Sequence, residues 1–232
     1  MNSNGFKALF EPINIGELKI KNRIVSAPHT TYYVDTDGFI NDRVTAYYTA
    51  VARGGSGLII LGHLPPTPSV PQERPIGIYD DKFIPSLSKF VDAIHGFGCQ
   101  IFAQINHPGP DGGKDLDGGP PLSASTIGED VLPSPKPIFN PPRGLEISEI
   151  EIMEDLFAKA AKRAQLAGFD GIELHASHTY LLASFLTRIW NKREDDYGYQ
   201  NVENRTRIVR EILAKIKSSC GQHFPVGVRV NG

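Results

Sequence analysis

Two histidines and a tyrosine stand close together in the segment His175-Ala176-Ser177-His178-Thr179-Tyr180. Neighbouring imidazoles can donate hydrogen bonds to the oxygen of a polarised carbonyl or carboxylate group. The phenol of Tyr180 carries a proton that can be transferred to a carbon or oxygen centre. The residue types alone leave a second interpretation open, in which Tyr180 is an ordinary packed aromatic side chain.

The spacing His175-x-x-His178 also raises the question of a metal site. Zinc sites in proteins use three or four protein ligands. No nearby Asp, Glu or Cys completes a set of three ligands with the two histidines, so we predict that this segment holds no metal.

Strands and helices must position these residues for such chemistry. Short apolar runs alternate with amphipathic segments along the chain. The short runs predict parallel strands buried on both faces, at Arg23–Ser26, Gly57–Leu61, Gln100–Ile105, Gly171–His175 and Val226–Val230. The amphipathic segments predict helices, at Asp42–Arg53, Phe83–Gly96, Glu149–Ala167 and Val202–Ser218. This alternation predicts βαβ crossovers and a parallel α/β sheet. Five strands suffice for a doubly wound sheet but not for an eight-stranded barrel.

Capping residues mark several helix ends. Asn41 and Asn201 are predicted N-caps of the first and last helices. Ser148 with Glu151 predicts a capping box at the third helix, and Gly168 predicts a left-handed residue at its end.

Two segments lie outside the regular alternation. Apolar residues around Gly16, within residues 10–22, predict a hairpin that could plug the bottom of a closed barrel. Residues 106–143 are rich in Pro and Gly and are too long for a neutral connection, so we expect a functional loop above the sheet.

Polar or ionisable residues follow nearly every predicted strand, at the edge where parallel α/β folds bind ligands. They are Pro28, His29 and Thr30, then Gly62 and His63, then Gln104, Asn106 and His107, then His175 and His178, and finally Arg229. One such histidine would most often be structural. Convergence at five strand ends favours a binding site instead.

Composition narrows the class of protein. The 232 residues carry a net charge of −2, which gives no electrostatic reason to expect nucleic acid or an anionic membrane as a partner. No apolar run reaches the roughly 20 residues needed to span a bilayer, and the first residues lack the pattern of a signal peptide. The two cysteines, Cys99 and Cys220, suggest neither a disulfide framework nor a metal site. We therefore expect a cytoplasmic enzyme with a small-molecule substrate.

The run from Gly168 to Leu182, which contains the histidines and the tyrosine, resembles the old yellow enzyme family. Earlier motifs agree, at Asn22-Arg23-Ile24-Val25 and at Gln104-x-x-His107, and the resemblance covers residues 9–230. It implies an FMN-dependent (β/α)8 TIM barrel, of which about strands 1–5 are present. Residues 1–232 would then form the N-terminal five-eighths of an FMN-binding barrel.

The resemblance implies roles for individual residues. It places Pro28, His29, Thr30 and Gly62 against the flavin, Gln104 on the pyrimidine edge, and Arg229 beside N1 and O2, where negative charge collects on reduction. His175 and His178 would hold the oxygen of an electron-withdrawing group on the substrate. Tyr180 would give a proton to the α-carbon while the reduced flavin delivers hydride to the β-carbon. The implied reaction is the reduction of an activated C=C bond with electrons from NAD(P)H.

Several positions depart from the family pattern: His29, His63, Pro108 and Pro110 after the third strand, Thr179 and Tyr199. They favour the branch that resembles 2,4-dienoyl-CoA reductases and amine dehydrogenases. Amine oxidation or demethylation on the same scaffold, and an inactive truncated barrel that serves as a binding partner, remain as alternatives. That branch would add a 4Fe-4S cluster and FAD in a missing C-terminal part, and a homo-oligomer is left open. Because the family holds the FMN phosphate on strands beyond the fifth, we expect residues 1–232 alone to bind FMN weakly or not at all.

Overall fold

A five-stranded parallel sheet organises the chain. The computed structural model describes residues 3–68, 75–112, 119–128 and 141–231. The sheet consists of β3 (Val25–Ser26), β4 (Leu58–Leu64), β5 (Gln100–Ile105), β8 (Gly171–Ala176) and β9 (Val226–Val230), hydrogen-bonded in that order. All four pairings are parallel, so the carboxyl ends of the strands meet along one edge.

Helices connect successive strands and cover one face of this sheet. They are α1 (Asp42–Arg53), α2 (Ile84–His95), α3 (Ile147–Leu166), α4 (Leu181–Leu186) and α5 (Val202–Cys220). Alternate strand residues such as Ile59, Ile101 and Leu174 point into a fully buried core shared with these helices. Cys99 and Cys220 are free thiols, and both are buried.

The other face of the sheet meets a hairpin of β1 (Ile13–Ile15) and β2 (Leu18–Ile20). Gly16 makes the turn at φ 59°, a left-handed conformation that glycine adopts without steric cost. Ile20 packs with Leu58 and Phe102 in a small cluster, which we call the floor cluster, and partly buried Leu18 and Ile60 border it. The predicted hairpin is therefore confirmed, and it covers the inner face of the sheet away from the strands' carboxyl ends.

The predicted strands are confirmed in position, with β4 running three residues further than expected. The expected burial on both faces is wrong for the two edge strands, because Val25 of β3 is 48% exposed and Val230 of β9 is 58% exposed. The predicted N-caps are also confirmed, because the side chain of Asn41 accepts from the Val44 N–H and that of Asn201 from the Asn204 N–H. Gly168 has φ 91°, as predicted for a left-handed residue after the third helix.

The predicted capping box of Ser148 and Glu151 is wrong. The helix begins two residues earlier than expected, with Glu146 as the N-cap, and the Glu146 N–H donates to the Glu149 carboxylate over 2.9 Å. Arg143 fixes this start by donating two hydrogen bonds to Glu149, of 2.7 and 2.8 Å. The cap thus depends on a residue outside the helix, which the local pattern does not reveal.

The long connection after β5 is described only in part. Its residues 109–111 form a 3-10 turn, and β6 (Leu122–Ser123) pairs in parallel with β7 (Arg143–Gly144). Most of the segment predicted as a functional loop lies outside the described residues. Within the described part of the chain, no helix has the length and apolar character to cross a membrane.

Candidate active site

All nine residues predicted to bind cofactor or substrate line one pocket at the carboxyl edge of the sheet. The pocket has a volume of about 190 Å³, and its lining consists of Pro28, His29, Thr30, Gly62, His63, Gln104, His175, His178, Tyr180 and Arg229. Each sheet strand except the short β3 contributes a residue from its own end, and β3 contributes through residues 28–30 just beyond it. Parallel strand order therefore brings together residues up to two hundred positions apart.

His175 lines the pocket and is 4% exposed. The Ser177 N–H donates to its Nδ1 over 3.3 Å, and the Ser177 hydroxyl lies 3.2 Å from the same atom. Because a backbone N–H can only donate, Nδ1 accepts, and the proton of the neutral ring sits on Nε2. Burial, with His178 and Arg229 nearby, lowers the pKa of His175 to about 4. His175 is therefore a neutral imidazole with an N–H donor on Nε2.

The rings of His175, His178 and Tyr180 touch one another edge to face. The ring centroids of His175 and His178 are 5.1 Å apart, and Tyr180 lies 4.8 Å from His175 and 5.6 Å from His178. The hydroxyl of Thr179 donates to the carboxylate of Asp111, which ties this segment to the turn after β5. The structure thus gathers two imidazole groups and one phenol at a single wall of the pocket.

Gln104 and Arg229 also line the pocket, and Glu173 contacts Gln104 from the neighbouring strand. The Gln104 amide donates to Glu173 over 2.8 Å, and strand register sets Arg229 directly beside His175. Burial raises the pKa of Glu173, while the Gln104 hydrogen bond and the charge of Arg229 act in the opposite direction. Glu173 was not predicted as a site residue, because a carboxylate inside an apolar strand gives no distinctive sequence signal.

Gly62 keeps the space between these groups open. A Cβ atom at this position would lie 2.9 Å from the Pro28 side chain and 3.2 Å from the Gln104 Oε1 atom. The opening that results is bordered by the Gln104 amide, the Arg229 guanidinium and the Thr30 hydroxyl, which suit the polar pyrimidine edge of a flavin. The residues present therefore fit FMN.

His63 also lines the pocket; the sequence placed it at the end of the second strand and marked it as a departure from the family pattern. Its Nδ1 lies 3.2 Å from the Thr30 hydroxyl oxygen, and burial lowers its pKa. His29 is engaged on both ring nitrogens, since Nδ1 faces the Ala27 carbonyl at 3.3 Å and Nε2 faces the Tyr47 hydroxyl at 2.9 Å. Its ring thus packs among the tyrosines of α1, and its role toward the flavin stays a prediction.

No group of three or more His, Cys, Asp or Glu side chains is arranged to hold a metal ion in the described ranges.

The segment after α4 contains Arg193 and Asp195, which have structural contacts and do not line the pocket. Arg193 donates to the carbonyl groups of Ala124 and Leu145, and it pairs with Asp195 at 2.6 Å. Asp196 lies near Arg207, with 3.7 Å between its carboxylate and the guanidinium group.

Comparison with known proteins agrees with this geometry. The sequence model of the NADH:flavin oxidoreductase / NADH oxidase family matches residues 8–231. An NADH oxidase of Thermoanaerobacter brockii is 38% identical over 231 residues, covering 97% of this chain and 34% of that protein. An N,N-dimethylglycine/sarcosine dehydrogenase of Chromohalobacter salexigens is also 38% identical, covering 98% and 32%. A cinnamate reductase of Clostridium sporogenes is 34% identical, covering 97% and 34%.

Solved structures show the same fold. The old yellow enzyme homologue from Zymomonas mobilis superimposes with a TM-score of 0.84 at 31% identity, covering 96% of this chain and 63% of that one. A 2-naphthoyl-CoA reductase in complex with 2-naphthoyl-CoA gives a TM-score of 0.86 at 29% identity, covering 97% and 35%. The chain spans about a third of the length of the curated relatives named above.

A parallel sheet with helices on its outer face and a ligand pocket at its carboxyl edge defines part of a (β/α)8 barrel enzyme. The chain belongs to the NADH:flavin oxidoreductase / NADH oxidase family, to which the old yellow enzymes are related. This family implies FMN as the cofactor and NAD(P)H as the electron donor. The iron–sulfur cluster and FAD suggested by the sequence stay predictions.

Proposed function

We propose that this chain carries the flavin- and substrate-binding face of an oxidoreductase that reduces an activated C=C bond with electrons from NAD(P)H. The substrate class is an α,β-unsaturated carbonyl compound or an enoyl thioester. One observation carries the proposal: His175, a neutral N–H donor, contacts both His178 and Tyr180 in the pocket that also contains Gln104 and Arg229. The names of the cinnamate and 2-naphthoyl-CoA reductases support the same class of substrate.

Different residues of the pocket have different roles in the proposed reaction. His175 and His178 donate hydrogen bonds to the carbonyl oxygen, which stabilises negative charge there and makes the β-carbon electrophilic. Tyr180 holds a proton within reach of the α-carbon and transfers it as the general acid. Gln104, Arg229, Thr30, Pro28, Gly62 and His29 are the residues that would hold FMN. Bound FMN supplies the hydride for the β-carbon.

Replacement of the proposed acid tests this function directly. With FMN in millimolar excess, NADPH or NADH as donor and cyclohexenone or crotonyl-CoA as substrate, we expect Tyr180→Phe to lower the rate of alkene reduction about 10²–10⁴-fold. Flavin binding, followed by fluorescence quenching, should stay unchanged, because the ring remains. Tyr199→Phe, at an exposed tyrosine, is the matched control.

Two results would contradict the proposal. An unchanged rate in Tyr180→Phe would remove this residue as the acid. No turnover by the unaltered chain, under conditions where fluorescence quenching shows that FMN is bound, would favour the alternative of a non-catalytic binding partner.

Oxidation of a secondary or tertiary amine is the second candidate, and the 38% identity to an N,N-dimethylglycine/sarcosine dehydrogenase favours it. The two candidates differ in what reduces the flavin. Bleaching of the flavin absorbance by dimethylglycine or sarcosine, without any nicotinamide, would support amine oxidation. Bleaching by NAD(P)H alone would support alkene reduction.

A further inference from the structure

His178 has an unusual main-chain conformation for a residue in a binding site. Its φ is 57°, in the left-handed region that residues with a Cβ atom adopt only at a steric cost. The residue is exposed at the rim of the pocket, so burial does not hold it in place. Contacts from elsewhere in the chain must therefore stabilise this conformation.

Asn231 supplies such contacts from the neighbouring strand. Its Oδ1 accepts from the His178 N–H over 2.9 Å, and its Nδ2 donates to the His178 carbonyl over 3.3 Å. A side-chain amide can donate and accept at once, so it satisfies both main-chain groups of one residue. Strand register explains the meeting: Ala176 pairs with Val230, which sets Asn231 beside the first residues after β8.

The same strand serves two parts of the pocket. Arg229, two residues before Asn231, pairs in register with His175 and lines the pocket. Asn231 holds the rim residue whose ring lies 5.1 Å from His175. The chain at the end of β9 thus contributes both Arg229 in the pocket lining and Asn231, which holds the main chain of His178.

We propose that Asn231 is a positioning residue, which holds the main chain of His178 in its left-handed conformation and thereby aims the imidazole toward the atom that His175 binds. The assignment of a substrate oxygen to that atom rests on the proposed function. The hydrogen bonds of Asn231 and the orientation of the His178 ring do not depend on the proposed function. A general structural role is the competing explanation, and it predicts effects throughout β9 and α5.

Nuclear magnetic resonance on the 232-residue chain, without flavin or substrate, separates these explanations. In Asn231→Ala we expect the His178 amide to exchange its hydrogen about tenfold faster, as the loss of one or two hydrogen bonds implies. We also expect the nuclear Overhauser contacts between the His178 and Tyr180 rings to weaken. Exchange in α5 should stay unchanged. Val230→Ala, at the exposed neighbour on the same strand, should change none of these signals.

Asn231→Asp is the conservative variant, because it keeps an oxygen that can accept from the His178 N–H. We expect its His178 amide to stay protected and its ring contacts to persist. The proposal is overturned if His178 exchanges at the wild-type rate in Asn231→Ala, if exchange accelerates equally in α5, or if both variants lose the fold. These signals do not involve turnover, so normal signals combined with absent alkene reduction would refute the proposed function alone.

Discussion

At the scale of single residues, the site depends on which nitrogen of His175 carries the proton. Ser177 presents its N–H and its hydroxyl to Nδ1, at 3.3 and 3.2 Å, and so keeps the donor on Nε2. Because its pKa is lowered to about 4, the His175 ring is neutral at any pH well above that value. In the proposed function, His175 would therefore bind the substrate as a neutral hydrogen-bond donor, without a full positive charge.

This arrangement predicts the tautomer and its response to mutation. Nitrogen-15 shifts of the His175 ring should report the Nε2–H form between pH 5 and 8. In Ser177→Ala the hydroxyl is lost while the backbone N–H remains, so we expect the preference for this form to fall about three- to tenfold, as one hydrogen bond implies. Ser86→Ala, at a distant hydroxyl on α2, should have no effect. A dominant Nδ1–H form in the unaltered chain would contradict the assignment.

The sequence predicted the residues that line the pocket but not those that orient them. His175, Gln104 and Arg229 stand at recognisable strand ends, and resemblance to a family supplied their roles. Ser177 and Asn231 act through hydrogen bonds to a neighbouring ring or main chain, and Asn231 does so across 53 positions. Such partners become visible only when strand register is known, and the sequence pattern does not specify that register.

At the scale of elements, the β1–β2 hairpin closes the inner face of the sheet below the pocket. Ile20 is 1% exposed and packs on Leu58 and Phe102. Residues further along the same two strands, β4 and β5, line the pocket. The sequence predicted this hairpin from its apolar residues around Gly16. It also predicted all five strands, because each falls in a short run rich in apolar residues. The start of α3 depended on Arg143 and was placed wrongly.

Truncation of the hairpin's buried side chain should destabilise the fold strongly. We expect Ile20→Ala to lower the free energy of unfolding by about 2–4 kcal/mol, because the floor cluster loses packing and gains a cavity. Ile13→Ala, on the exposed side of the same hairpin, should cost less than about 1 kcal/mol. Urea denaturation followed by circular dichroism measures both values. Equal losses in the two variants would show that the hairpin does not cover the sheet as described.

At the scale of the whole molecule, two buried groups with opposite titration behaviour influence stability. Glu154 of α3 is 2% exposed and contacts Lys215 of α5 at 3.2 Å. Burial, with a hydrogen bond to Glu211, raises the pKa of Glu154 to about 7. Its Oε1 has no hydrogen-bond partner among the described residues. His175 has the opposite shift, from 6.5 to about 4.

The signs follow from proton linkage. Below pH 6.5 the unfolded state protonates His175 while the folded state does not, so this residue makes stability rise with pH between about 4 and 6.5. Glu154 keeps its proton in the folded state up to about pH 7 but loses it at about 4.5 when unfolded, so it makes stability fall across that range. The contributions of these two residues therefore oppose each other where they overlap, between pH 4.5 and 6.5.

Replacement of Glu154 should remove its contribution to the pH dependence of stability. In Glu154→Gln the buried site no longer has to ionise, so we expect the variant to match the unaltered chain at pH 5 and to exceed its unfolding free energy by about 1–3 kcal/mol at pH 8. Urea midpoints at pH 5, 6, 7 and 8 measure this, with Glu151→Gln on the exposed face of α3 as the control. A stabilisation of the same size at pH 5 and pH 8 would mean that Glu154 acts through packing alone, because only an ionising carboxylate makes the difference depend on pH.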